Sequence, residues 1–130
     1  MKKEFNEELT IILPLPGGLL SPNCTVGSIG GRFAKAGAIK KYRRLAKKAV
    51  EDAQIDTAPW DLVRVNAIFF FKQKRRRDPD NANGSLKSAY DGIKDSGLVI
   101  DDDYEHMKRG EPQFLYDREF PRVELTIEKL

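Results

Sequence analysis

Leu62-Val63-Arg64-Val65-Asn66-Ala67-Ile68-Phe69-Phe70-Phe71 is the stretch on which the architecture turns. On an extended chain Val63, Val65, Ala67, Phe69 and Phe71 alternate onto one face. Arg64 and Asn66 occupy the other face until Ile68 and Phe70 make that side apolar too. A strand buried outright on one side and in part on the other belongs in the middle of a sheet and needs helices laid over it. Two stretches are expected to supply them. From Phe33 to Ala53, the residues Ile39, Tyr42, Ala46, Ala49, Val50 and Ala53 recur at three- and four-residue steps, which predicts an amphipathic helix. From Ala82 to Ser96, Leu86, Ala89, Tyr90 and Ile93 do the same, with Asn81 or Asn83 as the expected cap and Gly97 as the stop.

Further strands flank this unit. Leu9-Thr10-Ile11-Ile12-Leu13 is a short apolar run that Pro14, Pro16, Gly17 and Gly18 bring to an end, and a long loop is expected from there to Arg32. Leu98-Val99-Ile100 reads as a short strand and Phe114-Leu115-Tyr116 as another. Val123, Leu125 and Ile127 alternate with Glu124, Thr126 and Glu128, which predicts a final strand with one buried face. The order of elements predicts an α/β class, with two main helices packed on a mixed sheet, and 130 residues suit a single domain over 1–130.

Composition narrows the chemistry. A chain that is 40% hydrophobic and 33% charged is that of a folded globular protein rather than a disordered one. No stretch approaches the roughly 20 apolar residues of a spanning helix. The start, Met1-Lys2-Lys3-Glu4-Phe5-Asn6-Glu7-Glu8, lacks an apolar signal core, so a cytoplasmic location is expected. Cys24 and His106 are each the only residue of their type, which removes an internal disulfide, a cysteine zinc cage and most histidine-based triads and zinc sites. Any catalysis must therefore come from carboxylates. A net charge of +3 points only weakly to an anionic partner, and the distribution is more telling. Lys35, Lys40, Lys41, Arg43, Arg44, Lys47 and Lys48 line the outer face of the first helix, either as a solvated surface or as a nucleic-acid contact.

The chemically informative stretch is Lys72-Gln73-Lys74-Arg75-Arg76-Arg77-Asp78-Pro79-Asp80-Asn81, where a run of cations leads straight into two carboxylates at the end of the buried strand. Side chains two apart on an extended chain point the same way, so Asp78 and Asp80 are expected to converge on one ion. A second acidic group, Asp101-Asp102-Asp103, ends the Leu98-Val99-Ile100 run. If that run pairs in parallel beside the central strand, the two groups meet at one sheet edge. Like charges so placed need a cation, and oxygen ligands select magnesium or manganese over zinc. Lys74 to Arg77 would hold the neighbouring phosphates, and Lys87 could offset charge on the phosphate under attack. Each group also has a structural reading: Asp-Pro-Asp-Asn as turn and cap chemistry, Asp101 to Asp103 as a solvated loop, and Lys87 as the partner of Asp91. A calcium loop starting at Asp78 fails, because Asn83 stands where glycine is required and Ala89 where glutamate is required.

These residues resemble the RusA family of Holliday-junction resolvases, small homodimeric endodeoxyribonucleases. The resemblance rests on Arg75-Arg76-Arg77-Asp78-Pro79-Asp80-Asn81, on Leu86-Lys87-Ser88-Ala89-Tyr90-Asp91-Gly92-Ile93, and on Gly97-Leu98-Val99-Ile100-Asp101-Asp102-Asp103. Weaker agreement extends through Leu13-Pro14, Pro22-Asn23, Gly31-Arg32 and Arg122 to Ile127. It implies metal-binding and catalytic roles for Asp78, Asp80 and Asp102, an accessory carboxylate at Asp101 and a catalytic lysine at Lys87. Ala82-Asn83-Gly84 forms an extra stretch before that lysine relative to the family's shorter spacing. Lys74, Arg75, Arg76 and Arg77, with Arg32, Lys40 and Arg44, are the expected DNA surface. The implied activity is magnesium-dependent hydrolysis of paired phosphodiesters in a four-way junction by a homodimer, with manganese as a substitute ion. Two other readings stand beside it: a DNA-binding module without cleavage, and a nuclease acting on other branched DNA.

Overall fold

The central strand Val63–Phe71 (β2) runs where its alternation places it, with Val63, Val65, Ala67 and Phe69 buried and Arg64 exposed on the opposite side. In this computed structural model residues 7–130 are described; most of the opening stretch read for a signal core lies outside them. Around β2 the chain forms β1 (Glu8–Leu13), a 3-10 turn (Gly18–Leu20), α1 (Ile29–Ala53), α2 (Pro79–Gly84), α3 (Lys87–Asp95), β3 (Met107–Arg109), β4 (Gln113–Tyr116) and β5 (Arg122–Lys129). They build the α/β architecture expected, with two main helices, α1 and α3, and a mixed five-stranded sheet. Among the described residues no helix is long and apolar enough to cross a membrane.

β5 lies between β1 and β2 and is antiparallel to both, pairing Leu125 with Ile11 on one side and with Ala67 on the other. On the far side of β2, β3 and β4 both run parallel to it, β3 opposite Val63–Val65 and β4 opposite Ile68–Phe71. They form one edge in two pieces, interrupted by Gly110-Glu111-Pro112, where the Gly110 N–H still donates to the Val65 carbonyl at 2.9 Å. Ile11, Leu13, Val123, Leu125 and Ile127 share the buried face with the alternate residues of β2. α1 adds Tyr42, Ala46 and Val50 to this core, and α3 adds Ala89, Tyr90 and Ile93.

The two helices meet closely. A Cβ built on Gly92 would lie 2.2 Å from the Arg43 carbonyl oxygen and 2.9 Å from the Ala46 Cβ, so only glycine lets α3 come this near α1. The Arg43 guanidinium clips the end of α3 with a two-pronged ion pair to Asp95, Nη2 donating to Oδ1 at 2.9 Å. That pairing holds the Asp95 carboxyl below its usual range.

Three local expectations are corrected. α1 begins at Ile29, not Phe33, because Ser28 caps it: the Ser28 Oγ accepts from the Gly31 N–H at 2.9 Å. The helix expected over Ala82–Ser96 is two helices, with Ser85 and Leu86 closing tight turns between them through N–H donation to the Asn81 and Asn83 carbonyls. The Leu98-Val99-Ile100 run is not a strand, and only Val99 forms a parallel bridge, with Trp60. Gly97 does stop α3, and it does so at φ +85°, the left-handed conformation that ends helices on glycine.

Candidate active site

Pro79 decides how the first acidic group is arranged. Its ring fixes a φ suited to the first helical position and pushes the preceding residue into extended backbone, so Asp78 becomes the cap of α2 at φ −104°, ψ 118°. The Asp78 Oδ1 accepts from the Asp80 N–H at 3.0 Å, and Asp80 falls in the first helical turn. The extended-chain alternation expected to aim both carboxylates at one point therefore does not hold. Asp78 lines a cavity of about 370 Å³ with Arg76, Arg77 and Phe71, and Asp80 lines a different one. The cap expected at Asn81 or Asn83 is Asp78.

The second acidic group also arrives by another route. Met107, at the start of β3, pairs with Val63 at the start of β2, so Asp101 to Asp103 lie near the beginning of β2, whereas Asp78 follows its end. Tyr90 of α3 closes the gap. Its hydroxyl donates to the Asn83 Oδ1 at 2.5 Å, at the end of α2, and its ring lies 4.4 Å beneath the Arg109 guanidinium at the end of β3. Arg109 in turn donates from Nη2 to the Asp102 carbonyl oxygen at 3.0 Å. Tyr90 is 3% exposed, and burial raises its phenol to about 12, so it serves as a neutral platform.

The outcome is one cavity of about 480 Å³ lined by Asp80, Asn83, Lys87, Tyr90, Asp102 and Arg109, with Gly84 at its wall. It joins Asp80 to Asp102 across the chain, as the sequence anticipated, but through the side of β3 and not the end of β2. Among the described residues neither of these carboxylates accepts a hydrogen bond or joins an ion pair. Their neighbours are committed. The Asp101 Oδ1 accepts from the Asp102 N–H at 2.7 Å and lies 3.8 Å from the Lys94 Nζ, and the Asp103 Oδ1 accepts from the Glu105 N–H at 3.1 Å. Of the consecutive aspartates, Asp102 is thus the one presented to the cavity. The gathering of three carboxylates expected from the sequence is not found, since among the described residues no group of three or more histidine, cysteine or acidic side chains surrounds a point that could hold an ion.

Lys87 opens α3 and lines the cavity, with its Nζ 3.4 Å from the Asp91 Oδ1, so the helical pair read as its structural alternative is formed. The intervening Ala82-Asn83-Gly84 completes α2, which is how the lysine arrives from a separate helix. The basic run divides in two. Lys74, Arg75 and Arg76 are exposed. Arg77 instead lies 3.7 Å over the Phe71 ring with its Nε buried, and desolvation together with the Arg75 charge lowers its pKa. On α1, Arg43, Lys47 and Lys48 are tied to Asp95, Glu51 and Asp52, and the Lys35 Nζ donates to the Cys24 carbonyl at 2.8 Å. Arg32, Lys40 and Arg44 are exposed and join no ion pair among the described residues.

Asn81 fixes the approach to the site. Its Oδ1 accepts from the Ser21 Oγ at 3.0 Å and from the Asn23 Nδ2 at 3.3 Å, which fastens the loop after β1 to α2. Sequence reasoning missed Arg109 and Asn83. Nothing in periodicity or spacing marks an arginine ending a three-residue edge strand as part of a site, because the pairing that carries it there is long-range. No protein-family model matches the chain, and no match is found among curated proteins.

Proposed function

We propose that the protein is a magnesium-dependent endodeoxyribonuclease that cuts branched DNA, with the four-way junction as its first candidate substrate and a two-fold dimer as the working form. The observation that carries this reading is the pair of unengaged carboxylates, Asp80 and Asp102, facing one cavity beside two cations, with an exposed arginine run nearby. The donor set fits the ion. Magnesium takes one or two carboxylates, keeps several waters and completes its shell with substrate phosphate, so a pair of aspartates in an open cavity suffices. Asp80 and Asp102 would hold it, while Asp78, in the neighbouring cavity, and Asp101, engaged by the Asp102 N–H, stand outside the pair. When bound, the ion supplies Lewis-acid stabilisation of phosphate charge and a water of lowered pKa.

The chain's own residues do the rest. Lys74, Arg75 and Arg76 hold phosphates on either side of the target, and Arg32, Lys40 and Arg44 extend that surface along α1. Lys87 faces charge building on the phosphate, since its surface pair with Asp91 is weak enough to exchange for a phosphate oxygen. The reaction adds water across one P–O bond: the water oxygen bonds to phosphorus, the bond to a sugar oxygen breaks, and a proton ends on the released hydroxyl. Two sites related by a dyad match the symmetry of a junction cut on opposed strands. The likeness to the RusA family, carried by the Asp-Pro-Asp-Asn, lysine and aspartate segments, supports the same reading.

The test is a labelled four-way junction, a flap and a linear duplex incubated with and without magnesium, using wild type and Asp80→Asn. Paired nicks in the junction are expected from wild type with metal only, and a loss of about 100-fold or more from the variant. A variant that cuts as well as wild type removes Asp80 from the site. Cleavage of the flap but not the junction would move the substrate to another branched DNA.

A further inference from the structure

Arg109 lines the same cavity as Asp80 and Asp102, and its contacts with the Tyr90 ring and the Asp102 carbonyl hold it there in advance of any ligand. We infer that Arg109 is the phosphate-gripping residue of this site, contacting the non-bridging oxygens of the diester under attack. The inference rests on the nuclease reading and adds a residue to it.

Arg109 ends β3, its Cα opposite Val65 in the middle of the sheet, and the next residue is anchored by the 2.9 Å bond from the Gly110 N–H to the Val65 carbonyl. A side chain rooted on a paired strand holds its position better than one on a loop. Its guanidinium lies 4.4 Å over the Tyr90 ring, which is itself buried and tied to Asn83. One N–H donates to the Asp102 carbonyl, so the segment bearing one carboxylate is fixed relative to the cation.

Asp80 and Asp102 bring two negative charges that a divalent ion would balance. Arg109 joins no ion pair among the described residues, so its charge faces the single negative charge that a phosphodiester adds. A guanidinium has five N–H donors in a rigid fork, and the one bond to Asp102 leaves the others to grip two oxygens of one phosphate. Lysine offers no such fork, which separates this role from that of Lys87.

The experiment compares wild type, Arg109→Met, Arg109→Lys and Asp80→Asn on a junction carrying either a normal phosphate or an uncharged methylphosphonate at the cut position. Junction affinity is measured in parallel with calcium in place of magnesium. Arg109→Met is expected to lower kcat by about 100-fold with affinity changed only a few-fold, and Arg109→Lys to recover part of the rate. Removing the phosphate charge should slow wild type by at least about tenfold more than it slows Arg109→Met, because partners in direct contact are not additive. Arg109→Met cutting at the wild-type rate while Asp80→Asn is dead would overturn the inference alone, as would additive losses in the charge comparison. If Arg109→Met fails to fold, the same comparison made with Arg109→Lys decides. A wild type that cuts no branched DNA with magnesium or manganese overturns the nuclease reading and this inference together.

Discussion

Asp78 and Asp80 receive different tasks from the one proline between them. The pattern of alternating side chains would have sent both carboxylates the same way. However, proline at the first helical position and aspartate before it are together the signature of a helix start, and that signature wins. The residue types of the site were therefore legible, and the division of labour was legible only through the backbone preference of Asp-Pro. Residue chemistry alone did not separate Asp102 from Asp101 and Asp103, and only the family resemblance singled it out, since the choice depends on which of them Lys94 and local N–H groups engage. For Asp78, the cap bond predicts that Asp78→Ala destabilises the fold by about 1 kcal/mol, whereas Asp78→Asn costs only a few tenths. Urea denaturation midpoints at constant m would check this. Equal losses for the two variants would mean the Oδ1 bond to the Asp80 N–H contributes little.

Among the elements, those with long periodic patterns were readable: α1, β2 and β5 lie within a few residues of where their apolar spacing puts them. The break between α2 and α3 was hidden because Ala82, Leu86, Ala89 and Ile93 keep helical spacing straight across it, so periodicity cannot register a change of turn type. β3 and β4 are short edge pieces whose existence depends on β2, and no local pattern announces a three-residue strand. The contact between α1 and α3 offers a test of how tightly the helix layer is set. Gly92→Ala places a methyl against the Arg43 carbonyl, where backbone cannot yield, and overpacking of this kind costs roughly 1–3 kcal/mol. A drop in thermal midpoint is the expected readout. An unchanged midpoint would mean that the helices separate freely, and the positions of Lys87 and Tyr90 with them.

For the whole molecule, the exposed cations matter as a surface. A net charge of +3 conceals a division in which many lysines and arginines are cancelled locally, while Lys74, Arg75, Arg76, Arg32, Lys40 and Arg44 are left to solvent among the described residues. If these contact phosphates, the logarithm of junction affinity should fall with the logarithm of salt at a slope of roughly −5 per protomer, at about 0.9 per phosphate engaged. Fluorescence anisotropy across a salt series, with calcium replacing magnesium, measures it. A slope near zero would place DNA elsewhere or nowhere. The sheet was legible as mixed and covered by helices, but which edge brings Asp102 near Asp80 was not, because parallel pairing of β3 is settled by the tertiary fold. The bolt between Asn81 and the Ser21–Asn23 loop has a practical consequence. Lengthening or transplanting that loop would leave the asparagine, 60 positions beyond Ser21, ungripped, and the disturbance would surface in the aim of the carboxylate next to it, Asp80. Engineers swapping segments between proteins of this shape would have to move the two stretches as one cassette.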